Sequence, residues 1–384
     1  MIPLFVLAHF AHHLVIALPV PLLPFIRNEF ALDYTQAGVV IMAFNLAYGI
    51  SQLPSGWLAD RIGSRVLLTV GTAGVALAGL LVGLSQTHFM LITFLVLMGI
   101  AGGGYHPSAA PLISRSVEPK NRGRALGFHM IGGSGSFFLA PLVGAGIAAC
   151  YGWRASFTWL AIPTALFGIA FYVLLGRRPE LNRLSKTISE YHDKAQPLSS
   201  DLPQLIPFMV LNIFAAGVNF SVISFIPLFM IDHFGVAETI AASSLSIMYS
   251  AGLWASPLGG YISDRLGKIR VALVACLVTG PLIYLLNIVP SGLGIGAVLL
   301  MFGITMYIRQ PASESYIISQ TPEHRRSTIL GIYYFASMEA GGIFSPIIGN
   351  CIDRFGFQPT FTGAGIAILM VSLVCAIFLR HNRD

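Results

Sequence analysis

Polar and charged positions are so sparse along this chain that they divide it into long apolar runs. A helix rising 1.5 Å per residue needs about 20 apolar residues to cross roughly 30 Å of hydrocarbon. Twelve runs of that length are bounded by charges or turn residues, at 3–26, 35–58, 66–85, 89–113, 123–149, 154–176, 204–231, 239–262, 270–289, 292–318, 326–350 and 357–380. The pattern predicts an all-α membrane protein with twelve transmembrane helices. The first run has no Lys or Arg before Arg27 and no small-x-small cleavage site, and it holds three histidines, so it is read as a retained span and not as a signal peptide. One long polar segment, residues 177–203, separates the first six runs from the last six. The expected organisation is an N-terminal six-helix bundle over 1–176, a cytoplasmic linker over 177–203 and a C-terminal six-helix bundle over 204–384.

Composition agrees with lipid as the solvent. The 384 residues are 55% hydrophobic and only 10% charged, with a mean hydropathy of +0.76, too few ionisable groups to cover a water-soluble protein of this size. The net charge of +6 has a simple source. With both termini on the cytoplasmic side, 18 of the 22 Lys and Arg residues fall in cytoplasmic segments, Arg27, Arg154 and Arg354 fall outside, and Arg309 lies within a span. This is the positive-inside asymmetry of a multi-pass protein of the plasma (inner) membrane. The basic residues are spread over short loops, so no nucleic-acid partner is expected.

The chain repeats itself. SGWLADRIGSRV begins at Ser55 and GGYISDRLGKIR at Gly259, 204 positions later. At the same offset Phe25 matches Phe229, Phe30 matches Phe234, Gly127 matches Gly331 and Pro107 matches Pro311. Six spans per half is an even number, so both halves start on the same side and the repeats are parallel.

Twelve spans in two parallel halves, with G-x-L-A-D-R-x-G-x-R between spans 2 and 3 and its echo between 8 and 9, resemble the major facilitator superfamily of secondary transporters. The stretches PLLPFIRNEF and GGGYHPSAAPLISRSVEPKNRGRALGFHMIGGSG look like the fosmidomycin-resistance branch of its drug exporters. The resemblance implies alternating access, a small-molecule substrate, a monomer, and a central cavity lined by helices 1, 4, 7 and 10. It also implies that the repeated loop phrase latches one conformation, through Gly56, Asp60, Arg61, Gly63 and Arg65 and through Gly260, Asp264, Arg265 and Gly267. A carboxylate at a helix end can pair with the loop Arg or accept bonds from a neighbouring helix N-terminus. The competing reading is that these charges only enforce topology, which needs no Asp or Gly at fixed spacing. Around Pro141 and Gly144 span 5 resembles the family's antiporter motif, echoed around Pro346 and Gly349 in span 11; close helix packing is the competing account.

Ionisable residues within spans carry the chemistry, because each costs about 2.5–3.5 kcal/mol or more at the bilayer centre. His9, His12 and His13 share one face of span 1. His106 precedes Pro107 in span 4, His129 lies in span 5, and Arg309, Glu314 and Glu339 lie in spans 10 and 11. By helical rise Arg309 stands about 13 Å and Glu339 about 19 Å above the cytoplasmic ends of their spans, which predicts a pair. The candidate substrate and proton-coupling residues are His9, His13, His106, Asn45, Gln52, Asn212, Asn219, Arg309, Glu314 and Glu339. Where the branch it resembles has Asp this chain has His13, and where the branch has Glu it has Ser108, so if protons drive transport a histidine of span 1 or a carboxylate of the C-terminal half carries them. The i, i+4 pair His9 and His13, with His12 nearby, also resembles a metal-ligand spacing, but no Cys or Asp is close in sequence, and neither a metal nor a cofactor is expected. Cys150, Cys276, Cys351 and Cys375 show no C-x-x-C spacing and are read as apolar fillers.

No P-loop, G-x-S-x-G or H-E-x-x-H occurs, so neither an ATP-driven pump nor an enzyme is expected. The reading reached from the sequence is a proton-coupled exporter of drugs or of amphipathic or anionic metabolites. Import of an organic anion, or a non-transporting sensor, are the alternatives.

Overall fold

The computed structural model describes residues 1–118, 121–177, 202–321 and 326–379. Most of the expected linker, 178–201, lies outside the described residues. Among those described, helices α1 (Ile2–Ile16), α2 (Leu23–Phe30), α3 (Tyr34–Ile62), α4 (Ser64–Thr69), α5 (Val75–Gly83), α6 (His88–Gly102), α7 (Tyr105–Arg115), α8 (Arg122–Tyr151) and α9 (Trp153–Gly176) come first. Then follow α10 (Leu202–Phe234), α11 (Glu238–Ser250), α12 (Ala255–Leu266), α13 (Lys268–Leu285), α14 (Leu293–Ser319), α15 (Arg326–Phe355) and α16 (Phe357–Leu379). No strand is present among the described residues.

Among these residues nine helical stretches are long and apolar enough to cross a membrane. The three other expected spans differ for physical reasons. The first is not continuous: Pro19 and Pro21 withdraw backbone donors, and the chain turns between α1 and α2. The eighth is broken by a 3₁₀ turn at Ala251–Leu253, because Pro257 cannot return an N–H to the Leu253 carbonyl. The eleventh, α15, is long enough but carries Glu339 together with many Gly and Ser residues. With the broken pieces joined, the helical stretches follow the twelve expected runs in order.

The repeat is legible in the backbone. Gly63 and Gly267 have φ of 91° and 93°, and Gly152 and Gly356 have φ of 80° and 79°, each pair 204 positions apart. Both pairs turn the chain from one helix directly into the next, in a conformation that side chains resist. At the same offset Ala31 (φ 50°) matches Gly235 (φ 66°), and Ala31 is the one non-glycine with positive φ among the described residues.

The chain divides into two compact units, one of Met1–Leu32, Val40–Lys194 and Ala237–Ser243, the other of Asp33–Val39, Ala195–Val236 and Ser244–Asp384. The core of the first includes Phe5, Leu68, Tyr105, Leu112, Ile113, Phe171 and Leu175. That of the second includes Phe208, Ala272, Cys276, Tyr316, Ile317, Cys375 and Leu379. Five positions of the first core (68, 112, 113, 171 and 175) have their repeat partners (272, 316, 317, 375 and 379) in the second. Elsewhere large apolar side chains face outward: Leu166 and Ile377 are each 63% exposed. That exposure suits hydrocarbon and not water.

Close helix contact depends on glycine at a few positions. In unit 1 a Cβ on Gly132 of α8 would lie 2.2 Å from the Val6 carbonyl oxygen of α1. In unit 2 the Asp353 carboxylate of α15 accepts the N–H groups of Tyr34 (2.9 Å) and Thr35 (2.8 Å) at the start of α3. These are orphan donors of a helix N-terminus, stabilised by a negative charge.

Candidate functional site

In unit 1 the face of α1 that carries His9, His12 and His13 meets α7 and α8, and five histidines come together. His9 Nδ1 donates to the His129 carbonyl (2.8 Å), and His129 Nδ1 donates to the Phe5 carbonyl (3.1 Å). Their rings stack with centroids 4.1 Å apart. His12 Nδ1 donates to the Gly71 carbonyl (2.5 Å), and its Nε2 accepts from the Tyr48 hydroxyl (3.1 Å). Gly71 belongs to a π-helical turn, Val70–Gly74, which loosens the regular ladder between α4 and α5 where His12 approaches. His13 and His106 face each other through their Nε2 atoms at 3.2 Å. Because carbonyls only accept, these bonds fix His9, His12 and His129 with hydrogen on Nδ1. His9 is 1% exposed, and its Nε2 has no hydrogen-bond partner, nor has His13 Nδ1.

His9, His13 and His106 were expected from the sequence. His12, His129, Tyr48 and Tyr105 complete the cluster; Tyr105 stacks on His12 with centroids 4.2 Å apart. Only the helical spacing of the first three histidines is visible in the sequence, since the other contacts join distant segments. Asn45 donates to the Ile41 carbonyl within α3 (2.8 Å), an intrahelical bond, and Gln52 lies half-buried on the same helix.

In unit 2 the polar centre is Arg309 on α14. Its guanidinium donates to the side-chain oxygen of Asn212 (2.9 Å) and to the Asn212 carbonyl (3.3 Å) on α10. Ser313 donates to the same side-chain oxygen (2.6 Å). The pairing of Arg309 with Glu339 expected from their depths is not formed. Glu339 is buried with Oε1 unpartnered, and Arg309 Nε is also without a partner. Helical rise gives depth but not azimuth, and Asn212 faces Arg309 where Glu339 does not. Glu314 accepts from Gln310 one turn earlier (3.1 Å), and Asn219 is buried with its side-chain oxygen unpartnered.

The loop phrases form a repeated contact of Arg on an aromatic ring. Arg61 lies over the Trp57 ring at 4.1 Å, and Arg265 over the Tyr261 ring at 4.4 Å, equivalent positions in the two repeats. Arg65 donates to the Tyr172 carbonyl (2.8 Å) and lies over that ring at 3.7 Å. The surroundings of Gly56 and the side chain of Asp60 lie outside what the structure describes. Asp264 is exposed, and among the described residues it makes no ion pair with Arg265, whose guanidinium is on Tyr261. Gly260 has open space where a Cβ would stand. In the segments resembling the antiporter motif, a Cβ on Gly144 would meet Leu18 at 2.8 Å and one on Gly349 the Tyr34 carbonyl oxygen at 2.2 Å. Gly144 and Gly349 therefore serve close packing. Pro141 and Pro346 lie inside continuous helices.

A sequence profile described as Major Facilitator Superfamily matches residues 5–346. The Multidrug resistance protein MdtG of Enterobacter lignolyticus (strain SCF1) is 25% identical over 349 residues, covering 89% of this chain and 82% of its own. Its namesake in Klebsiella pneumoniae (strain 342) is 24% identical over 352 residues, covering 88% and 83%. Among solved structures, a bacterial homolog to the human lysosomal transporter Spinster, in an inward-facing and occupied conformation, has a TM-score of 0.79 at 17% identity, covering 99% of this chain and 95% of that one. A POT family transporter in complex with 5-aminolevulinic acid has a TM-score of 0.82 at 13% identity, covering 99% and 96%. At these identities the structural likeness concerns the fold.

Proposed function

This chain belongs to the Major Facilitator Superfamily, and we propose that it is a proton-coupled exporter of amphipathic or anionic small molecules. It is an integral membrane transporter; direction, substrate class and coupling are the proposal. Export is supported by the multidrug resistance relatives that match most of its length. The substrate class is supported by one observation above others: Arg309 is 6% exposed, and its hydrogen bonds go to an amide and not to a carboxylate. A guanidinium cannot lose its charge at working pH. Held in a span with its hydrogen bonds on a neutral residue, it favours an anion or the negative end of an amphipathic molecule.

The coupling proton is placed on the unit 2 carboxyls, Glu339 and Glu314. Glu339 has an oxygen free of donors, so it can take or release a proton without dismantling a hydrogen-bond network. The repeated loop phrase is assigned the latch of another state of the cycle, in which Asp264 and its repeat partner Asp60 are engaged. The charge asymmetry supports cytoplasmic termini in the plasma membrane, and the protein is proposed to act as a monomer.

Counterflow in proteoliposomes tests the substrate class. Loaded with unlabelled organic anions or amphipathic drugs, vesicles with the wild-type protein are expected to accumulate the labelled compound, and those with Arg309→Gln to lose anion exchange at least tenfold. Equal exchange by both proteins removes Arg309 from the substrate site.

A further inference from the structure

We infer that His9, His13 and His106 form a binding site for a divalent transition-metal ion of the zinc class. Their ligand nitrogens all lie within 4.8 Å of one another, inside unit 1. The sequence offered only an i, i+4 pair, and the third donor arrives from α7 by folding.

Three features point to a metal. First, the separation of the His13 and His106 Nε2 atoms is 3.2 Å. Two imidazole nitrogens at zinc–nitrogen distances of about 2.0–2.1 Å and a tetrahedral angle stand about 3.3–3.4 Å apart, so this pair already has the bite of a tetrahedral site. Second, the Nε2 lone pair of His9 is buried and unpartnered. A buried acceptor left without a donor costs roughly 1–3 kcal/mol, and ligation removes that cost. Third, His9 is oriented as metal-bound histidines are, with Nδ1–H donated to a backbone carbonyl, here that of His129. That bond fixes the tautomer which presents Nε2 as a ligand.

His12 is not a ligand. Both of its nitrogens are engaged, by the Gly71 carbonyl and by Tyr48, and its ring instead packs against Tyr105 and His13. The hydrogen shared between His13 and His106 has somewhere to go, because His13 Nδ1 is unpartnered. A change of tautomer in one ring frees both Nε2 lone pairs without removing a proton from the protein. The donor set selects the ion. Imidazole suits zinc, nickel, cobalt and copper, whereas magnesium and calcium require oxygen ligands, and no carboxylate belongs to the group among the described residues. Three protein ligands leave a fourth position for a solvent or substrate oxygen.

The test uses the purified full-length protein without a polyhistidine tag. Equilibrium dialysis against Zn²⁺ with elemental analysis is expected to give one ion per chain at micromolar free zinc. His9→Gln and His106→Gln are each expected to weaken binding at least tenfold, while His12→Gln keeps the stoichiometry. Co²⁺ as a spectroscopic probe is expected to show the visible bands of a four-coordinate site in the wild type and to lose them in His106→Gln. If either ligand variant misfolds, Co²⁺ added to the wild-type protein still decides the matter, since an octahedral spectrum or no binding overturns the inference. Zinc binding that is unchanged in the folded His9→Gln, His106→Gln double variant overturns it as well.

Discussion

The guanidinium of Arg309 on α14 is bound to both oxygens of Asn212 on α10, at 2.9 Å to the side chain and 3.3 Å to the backbone. A permanent charge within a membrane span is thus held by one neutral residue, whose amide group in turn donates to the Phe208 carbonyl at 2.9 Å. That chain of bonds fixes where this buried positive charge lies.

Removing the amide should be costly while the charge remains. Asn212→Leu leaves guanidinium donors buried and unsatisfied, for an expected loss of about 2–3 kcal/mol in stability. Arg309→Met in the same chain removes the charge that needed the partner, so the double variant is expected to lose less than the sum of the two single losses. Denaturant unfolding in micelles of the four proteins measures the difference; strictly additive losses would show that the two residues act independently.

The left-handed residue Ala31 makes a prediction about the repeat. Its φ of 50° is one that an L side chain resists, and its repeat partner is Gly235 at 66°. Ala31→Gly is expected to raise stability by about 0.5–1 kcal/mol, and Gly235→Ala to lower it by about 1 kcal/mol. Melting temperatures in one detergent check both, and a destabilising Ala31→Gly would mean the backbone there is not left-handed.

Outside the spans, Glu29 on α2 sits between the Trp153 indole N–H (2.7 Å) and the Arg154 guanidinium (2.5 Å). Partial burial raises its carboxyl, but the hydrogen bonds from Arg154 and Trp153 and the Arg154 charge outweigh it and hold the group below its ordinary value of 4.5. A lowered folded value means the contribution is complete above about pH 4.5 and is lost as the pH falls through that lowered value. Stability of the wild type is therefore expected to decline in that acidic window, and Glu29→Gln to flatten the decline. Identical pH profiles for the two proteins would show that the contact contributes nothing.

The fold was legible because lipid imposes a simple rule: spans must be long and apolar, and the duplicated loop phrase marked where each half turns. The helix breaks were not expected, because the apolar run continues across each of them, although Pro19, Pro21 and Pro257 supply the physical cause. Partners were the hard part. Helical rise placed Arg309 and Glu339 at comparable depth and predicted their pairing, but rotation about each axis decides contact, and Asn212 stands where a carboxylate was expected. The histidines show the same limit. Positions 9, 12 and 13 share a face by spacing alone, whereas His106 and His129 join them only because α7 and α8 pack on α1, and Gly71 meets His12 from a π-helical turn that no motif announces.

Proton-driven export is measured most directly as substrate flux in proteoliposomes under an imposed pH gradient at a fixed substrate gradient. The wild-type protein is expected to move substrate against its gradient when protons flow the opposite way, and to stop when an ionophore collapses the gradient. Glu339→Gln is expected to abolish the uphill movement while retaining downhill exchange. Uphill transport that persists without a pH gradient, or in the variant with both Glu339 and Glu314 changed to Gln, would contradict it.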